Sequence, residues 1–257
     1  MKAQILHNRI QYEVDLSKPL DISIPLEHHK TPIAFGAPAF EATPFTQGDF
    51  IGSIEAGSPV NFYNIKINPH GNCTHTESVK HIDARGESIL ETIDQQHFIA
   101  RLISVTPETL DNGDRVVTKN IMDTSIINND DIQALVIRTK PNRKTKQRKN
   151  YTNTNPVYFS KDLLKHINKT TVKHLLIDVP SVDREVDEGK LVGHKAFWNT
   201  KKNISKDKTI TELIFVDNKI KDGLYLLNLQ ILPLVLDVSP SRPVLYALKE
   251  IWSSQNK

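Results

Sequence analysis

Residues His70 to His81 read His-Gly-Asn-Cys-Thr-His-Thr-Glu-Ser-Val-Lys-His. These twelve residues hold three histidines, one glutamate and the only cysteine of the chain. No other window concentrates so many groups able to ligate a metal or carry a proton. In an extended segment alternate residues share a face, which puts Cys73, His75, Glu77, Val79 and His81 on one side. Imidazole nitrogens beside a carboxylate suit a borderline divalent cation such as zinc or manganese. His70 has the wrong parity for that face. Gly71 and Asn72 tolerate left-handed backbone, so a turn there is expected to swing His70 back. A single histidine usually just hydrogen-bonds locally; three with an interleaved glutamate favour a site.

Working outward, 257 residues suffice for one large domain or two small ones. A composition of 38% hydrophobic and 25% charged residues is that of a globular protein, and a net charge of +3 names no partner. The first residues, MKAQILHNRIQYEVDL, lack the apolar core of a signal peptide, and no run is long enough to span a bilayer. One cysteine excludes an internal disulfide and suits a reducing compartment. The expectation is a cytoplasmic protein with no membrane association.

Short strands are predicted at 3–6, 11–16 and 21–24, broken by turn signals at Asn8 and Lys18-Pro19. From Thr31 to Phe50 the pattern dissolves into Pro, Gly, Ala and spaced aromatics, which makes this segment either a strap over the core or a wall of the substrate pocket. A strand over Val60–Ile67 delivers the chain to Pro69, which stops it. Ser88 and Glu91 have capping-box spacing for a helix over 88–98. Strands follow at 101–105, 115–120 and 134–139. The segment from Lys140 to Asn155 carries six Lys or Arg with Tyr151 as its one aromatic, and reads as a solvated loop rather than a nucleic-acid surface. A helix at 160–167 and a buried strand at 174–179 give an α/β rhythm, followed by the polar loop 178–184. A short helix at 191–198, strands at 210–216 and 224–231, and a proline-bearing tail complete the chain. Without a repeat or linker, residues 1–257 read as one domain.

Glu212 stands in the half-buried run Thr-Glu-Leu-Ile-Phe-Val, where a carboxylate needs a cation or hydrogen-bond donors beside it. His194 and Glu212 also admit a purely structural reading.

The segment from Cys73 to His81 resembles the signature H-x-G-T-H-x-D-x-P-x-H of the kynurenine formamidase and cyclase family of metal-dependent hydrolases. Asp15-Leu16-Ser17-Lys18-Pro19, Pro180-Ser181-Val182-Asp183, Thr211-Glu212-Leu213 and Asp222-Gly223-Leu224-Tyr225 resemble further family segments. The resemblance implies an α/β domain with a mixed, barrel-like sheet flanked by helices, of the swivelling β/β/α type. It implies His70, His75, Glu77, His194 and Glu212 as ligands of one or two zinc or manganese ions, and His81 as the proton-transfer residue. It further implies hydrolysis of an amide, formamide or lactam-type bond of a small molecule by metal-activated water, in a homodimer or homotetramer. The chain departs from the signature at Cys73 for glycine, Glu77 for aspartate, Val79 for proline, and by one extra residue after His70. Cys73 is then either a small buried replacement or an extra soft ligand. These departures keep open a catalytically silent relative that binds a small molecule.

Overall fold

The computed structural model describes residues 1–122 and 131–251; the far end of the predicted domain, 252–257, lies outside the described residues. Seven strands close into a mixed β-barrel. In order around the wall they are Val238–Glu250, Gly223–Ile231, His97–Val105, Ala134–Thr139, His174–Ile177, Thr209–Glu212 and His75–Ser78. The last of these pairs antiparallel with both Thr209–Glu212 and Val238–Glu250, which closes the ring. Four neighbouring strands, from His97–Val105 to Thr209–Glu212, run parallel. Beyond the barrel, Val238–Glu250 continues into the hairpin of Lys2–His7 and Ile10–Asp15.

Alternation along the parallel strands divides the core. Ala134, Val136 and Leu176 join Ala100, Leu102, Leu227 and Leu245 in the barrel interior. Leu135, Ile137, Leu175 and Ile177 face the other way, onto a layer of helices. Helix Lys161–Asn168 sits there with Leu163, Leu164 and Ile167 fully buried, a one-sided spacing that suits its period. Each such side chain contributes about 1.5–3 kcal/mol by leaving water. Ser160 caps it by accepting from Leu163 N. The second helix of this layer, Val192–Phe197, buries Phe197, and Trp198 behind it is likewise enclosed. Phe197 and Trp198 are therefore core residues.

Outside the segment His70–His81 and the basic run, the structure differs from the sequence reading at several elements. The capping box of Ser88 and Glu91 is present, but it starts only one turn, Ile89–Thr92, after which His97 and Phe98 already belong to a barrel strand. The strand predicted over 210–216 stops at Glu212, because Leu213 adopts φ +54°. The proline-bearing tail holds Val238–Glu250, a strand of 13 residues. Its Pro240 and Pro243 mask the pattern, yet each lies in a paired register, opposite His75 and Leu229 respectively. Of the predicted strand Val60–Ile67 only Tyr63–Lys66 forms, exposed and paired with Glu41–Pro44. Among the described residues no helix is long and apolar enough to cross a membrane.

His174 lies inside the wall, with its ring centroid 4.0 Å from that of Phe98 and Nδ1 2.9 Å from Thr209 Oγ1. Burial, helped by Lys173 and Lys208, pushes its pKa down to about 3. Its folded pKa thus lies below its unfolded value, so its contribution to stability is complete above pH ~6.5 and is lost as pH falls toward 3. In urea titrations between pH 7 and 4, His174→Gln is expected to flatten the acid loss of stability by up to about 1.4 kcal/mol per pH unit relative to wild type. Parallel curves for the two proteins would remove His174 from the acid response.

Candidate metal centre

The segment His70–His81 is not one extended strand. Pro69–Asn72 forms a single helical turn, capped by Asn68, whose side chain accepts from Gly71 N. His75–Ser78 is the barrel strand, and Val79–His81 a 3-10 turn. Parity therefore holds for His75 and Glu77 and fails beyond Ser78. His81 reaches the same place by a turn of helix, and His70 returns through right-handed helix instead of a left-handed bend. Gly71 is required for close approach: a Cβ there would overlap Ala37 Cβ. The apolar segment predicted as strap or wall does pass over this turn, through Ala34 N to Gly71 O (2.8 Å) and Asn72 Nδ2 to Pro38 O (2.8 Å).

His75 and Glu77 leave the barrel wall on the helix side. Thr76 points inward, with its hydroxyl 2.8 Å from Thr211 Oγ1 and 2.9 Å from Ser241 Oγ. In the register Glu212 lies opposite His75, so its carboxylate emerges on the same side, with Oε2 3.4 Å from His75 Nε2. Helix Val192–Phe197 lowers His194 onto them from above, with Nε2 3.1 Å from Glu77 Oε1 and 3.9 Å from Glu212 Oε1. His70 Nδ1 and His81 Nε2 approach the other oxygen, Glu77 Oε2, at 3.2 and 3.8 Å. All six sequence-predicted site residues converge.

Each inner ring is held by a partner behind it. His75 Nδ1 donates to Cys73 O at 2.9 Å, which leaves Nε2 as the inward lone pair. His194 Nδ1 donates to Asp183 Oδ2 at 2.6 Å. Asp183 also accepts from the backbone N–H groups of Gly193 and His194, and so caps a helix whose own N-cap, Leu191, makes no side-chain hydrogen bond. A Cβ on Gly193 would come within 2.8 Å of Asp183 Oδ1, so only glycine admits this contact. Asp183 stands in the loop segment that carries the family resemblance, and that was its only sequence signal. Asp237 had none. It lies just before the strand hidden in the tail, with Oδ2 3.1 Å from His70 Nε2 and 3.2 Å from His81 Nδ1.

The centre has a closed half and an open half. His75, Glu77, His194 and Glu212 are buried, whereas the side chains of His70, His81 and Asp237 are about a third exposed and form the rim. Burial pushes Glu77 up, but the rings of His194, His70 and His81 outweigh it and hold its carboxyl well below the usual range. Burial pushes His194 down, yet Asp183, Glu77 and Glu212 outweigh it and raise it well above an ordinary histidine. His70 is raised as well, burial being outweighed mainly by Glu77.

The donor set fits a metal ion. His75 Nε2 and Glu77 Oε2 are buried and make no hydrogen bond, although each has an ion-pair neighbour. Among the described residues, two groups of three bring their ligand atoms within 4.8 Å of one another: His70, Glu77 and His81, and His75, Glu77 and Glu212. Glu77 belongs to both. Cys73 belongs to neither; burial pushes its thiol up to about 12, and Sγ contacts Pro69 O at 3.5 Å, as a small buried replacement for glycine.

The family described as putative cyclase matches residues 14–184, and the chain belongs to this Cyclase family. Among solved structures it is similar to one described as a potential metal-dependent hydrolase with cyclase activity, with 18% identity over 89% of this chain and 97% of that one, at a TM-score of 0.64. It is also similar to isatin hydrolase A from Labrenzia aggregata, with 14% identity over 90% of this chain and 93% of that one, at a TM-score of 0.65. A predicted metal-dependent hydrolase from Bacillus stearothermophilus shares 18% identity over 89% and 98% of the two chains, at a TM-score of 0.62. No protein of curated function matches the sequence.

Because Glu77 serves both groups, Glu77→Gln is expected to empty the centre, whereas Glu212→Gln should spare the group of His70, Glu77 and His81. Elemental analysis of the purified variants reads this directly. Equal metal content in Glu77→Gln and wild type would contradict the assignment. Stripping wild type with a chelator should lower the melting temperature, and zinc or manganese at a hundredfold excess over Kd should restore about 2.7 kcal/mol.

Proposed function

We propose that the protein is a metal-dependent hydrolase that opens the C–N bond of a small formamide, amide or lactam. The observation that carries this reading is the sharing of Glu77 between two ligand groups, one buried and one at an open rim. The likeness to proteins described as metal-dependent hydrolase and isatin hydrolase supports it. A divalent cation in such a site lowers the pKa of bound water from ~15.7 toward 7 and polarises a carbonyl.

The residues of the chain supply the remainder. His75, Glu77, His194 and Glu212 are the buried residues that would hold the cation, His75 being oriented by Cys73 O and His194 by Asp183. His81 is the proton carrier. Asp237 engages Nδ1, which leaves Nε2 turned toward Glu77 and the interior. An imidazole so held can take the proton of the attacking water and return it to the leaving nitrogen, and the neighbouring carboxylate stabilises the imidazolium in between. His70 shares the same Asp237 oxygen, so the two rim histidines are positioned as a pair with ring centroids 4.2 Å apart.

The test is turnover of formanilides, lactams and cyclic imides by protein reconstituted with zinc or manganese. A fully loaded protein that turns over none of them is a silent binder. His81→Gln should lower kcat by about 10²–10⁴-fold at unchanged metal content. Loss of metal from this variant would make His81 a ligand, as its place in one of the two groups permits. Asp237→Asn should lower kcat about 10–100-fold and shift the acid limb of the pH–rate profile; an unaltered profile would reduce Asp237 to a structural role.

A further inference from the structure

The basic run from Lys140 to Lys149 is not the solvated loop its composition suggests. Lys144–Arg148 forms a 3-10 turn, and Lys146 Nζ enters the barrel end, donating to Thr139 O at 2.7 Å, Thr139 Oγ1 at 2.9 Å and Asp178 Oδ2 at 2.7 Å. Tyr151 packs in a small core cluster with Ile24, Ala34, Leu213 and Phe215. Folding the run back in this way shapes a cavity of about 400 Å³ lined by Arg115, Lys140, Arg143, Lys146 and Lys149, and among the described residues no carboxylate lines it.

The cavity opens at the carboxyl ends of parallel strands. Thr139, the last residue of its strand, lines it, as does Val179, two residues beyond the next strand. Ligands commonly settle at the carboxyl ends of parallel strands, in open sheets and in barrels alike. Lys146 is neutralised by Asp178, but Arg115, Lys140, Arg143 and Lys149 have no carboxylate partner among the described residues. The nearest candidate for Lys149 is Glu185, whose oxygens accept from Asn153 N and Asn155 N instead. Lys149 is held over the Tyr151 ring at 4.9 Å. Burial, and then the charges of Arg115 and Lys146, depress its pKa, and the charge of Glu185 opposes them only in part.

We infer that this cavity is a second binding site, distinct from the metal centre, for a small molecule bearing a phosphate or diphosphate group. Four free cations around one space favour a multiply charged anion over a single carboxylate, and two of them are arginines, whose planar fork suits phosphate. The volume lies within the range of small-molecule pockets. A single-stranded nucleic acid fits less well, because Tyr151 is 4% exposed and offers no face for a base to stack on. No lining residue belongs to the metal centre, so the inference is independent of the hydrolase reading.

Titration calorimetry with inorganic diphosphate, and in parallel with adenosine diphosphate, tests it on the full chain at fixed ionic strength. Arg115 and Arg143 are exposed, so Arg115→Gln/Arg143→Gln is expected to fold and to keep the metal content of wild type. Wild type should bind diphosphate saturably below about 1 mM, and the double variant at least about tenfold more weakly. Tighter binding of the nucleotide than of diphosphate alone would place a nucleoside in the cavity; equal binding would confine recognition to the phosphates. Absence of saturable binding, or equal affinity in the double variant, would overturn the site. So would affinity that rises with the length of an oligonucleotide, which would make the basic run a nucleic-acid surface.

Discussion

Glu77 is a fully buried carboxylate with one oxygen facing His194 and the other facing two rim histidines, and most of the architecture follows from keeping it there. A buried charge without compensation costs several kcal/mol, so the groups around it must arrive in their places together. The fold achieves this through barrel closure. The strand of four residues that carries His75 and Glu77 is the seam between the first and last parts of the wall, paired on one side to Thr209–Glu212 and on the other to Val238–Glu250. Pairing on the first side brings Glu212 beside His75; pairing on the second brings Asp237, one residue before the strand, beneath His70 and His81. Closing the barrel and assembling the centre are one event.

The departures from the family signature find local accommodation in this frame. The extra residue after His70 is taken up by the helical turn Pro69–Asn72, which Asn68 caps and which Gly71 allows to lie against the strap. Val79 in place of proline is fully buried in the helix-side core and begins a 3-10 turn that carries His81 back toward Glu77. Cys73 fills a small buried space as a neutral thiol. The longer Glu77 reaches both ligand groups from a strand position. None of the four removes a donor atom from the centre.

What was legible in the sequence follows from how local its cause is. Ser88, Ser160 and the strand Ala134–Thr139 were read correctly, because caps and buried runs are written within a few residues. The six candidate residues stand out because the family pattern places ligand-type side chains at set positions, and the structure brings their side chains together. Val238–Glu250 was not legible: three of its first six residues are serine or arginine, and its two prolines break the alternation that marks a strand, although a barrel rim tolerates them where no ladder donor is needed. Asp237 was lost with it. The strand after Thr209 was drawn too long because its hydrophobic run continues through Val216, and only the tertiary contacts of Leu213, Thr74 Oγ1 to its carbonyl and its own N–H to Val179 O, hold the left-handed residue that ends it.

The basic run departs from what its composition suggests for a related reason. Composition reports that six cations over sixteen residues are costly to bury, which is correct, but it does not report where a single buried aspartate waits. Asp178 sits at the end of the strand His174–Ile177 with its oxygens already bound to Thr139 N and Oγ1, and one lysine suffices to neutralise it. Burial pushes Asp178 upward, and Lys146 opposes that push. Once Lys146 is anchored there, its flanking cations are carried to the rim of the same cavity. One long-range ion pair thus converts a run of charge into a concave surface. The two ends of residues 140–151 are fixed by folding and not by the run itself, with Thr139 in the barrel wall and Tyr151 against Leu213. The same strand-end geometry that sets Glu212 in the metal centre, through Leu213 and Val179, therefore also sets the wall of the basic cavity.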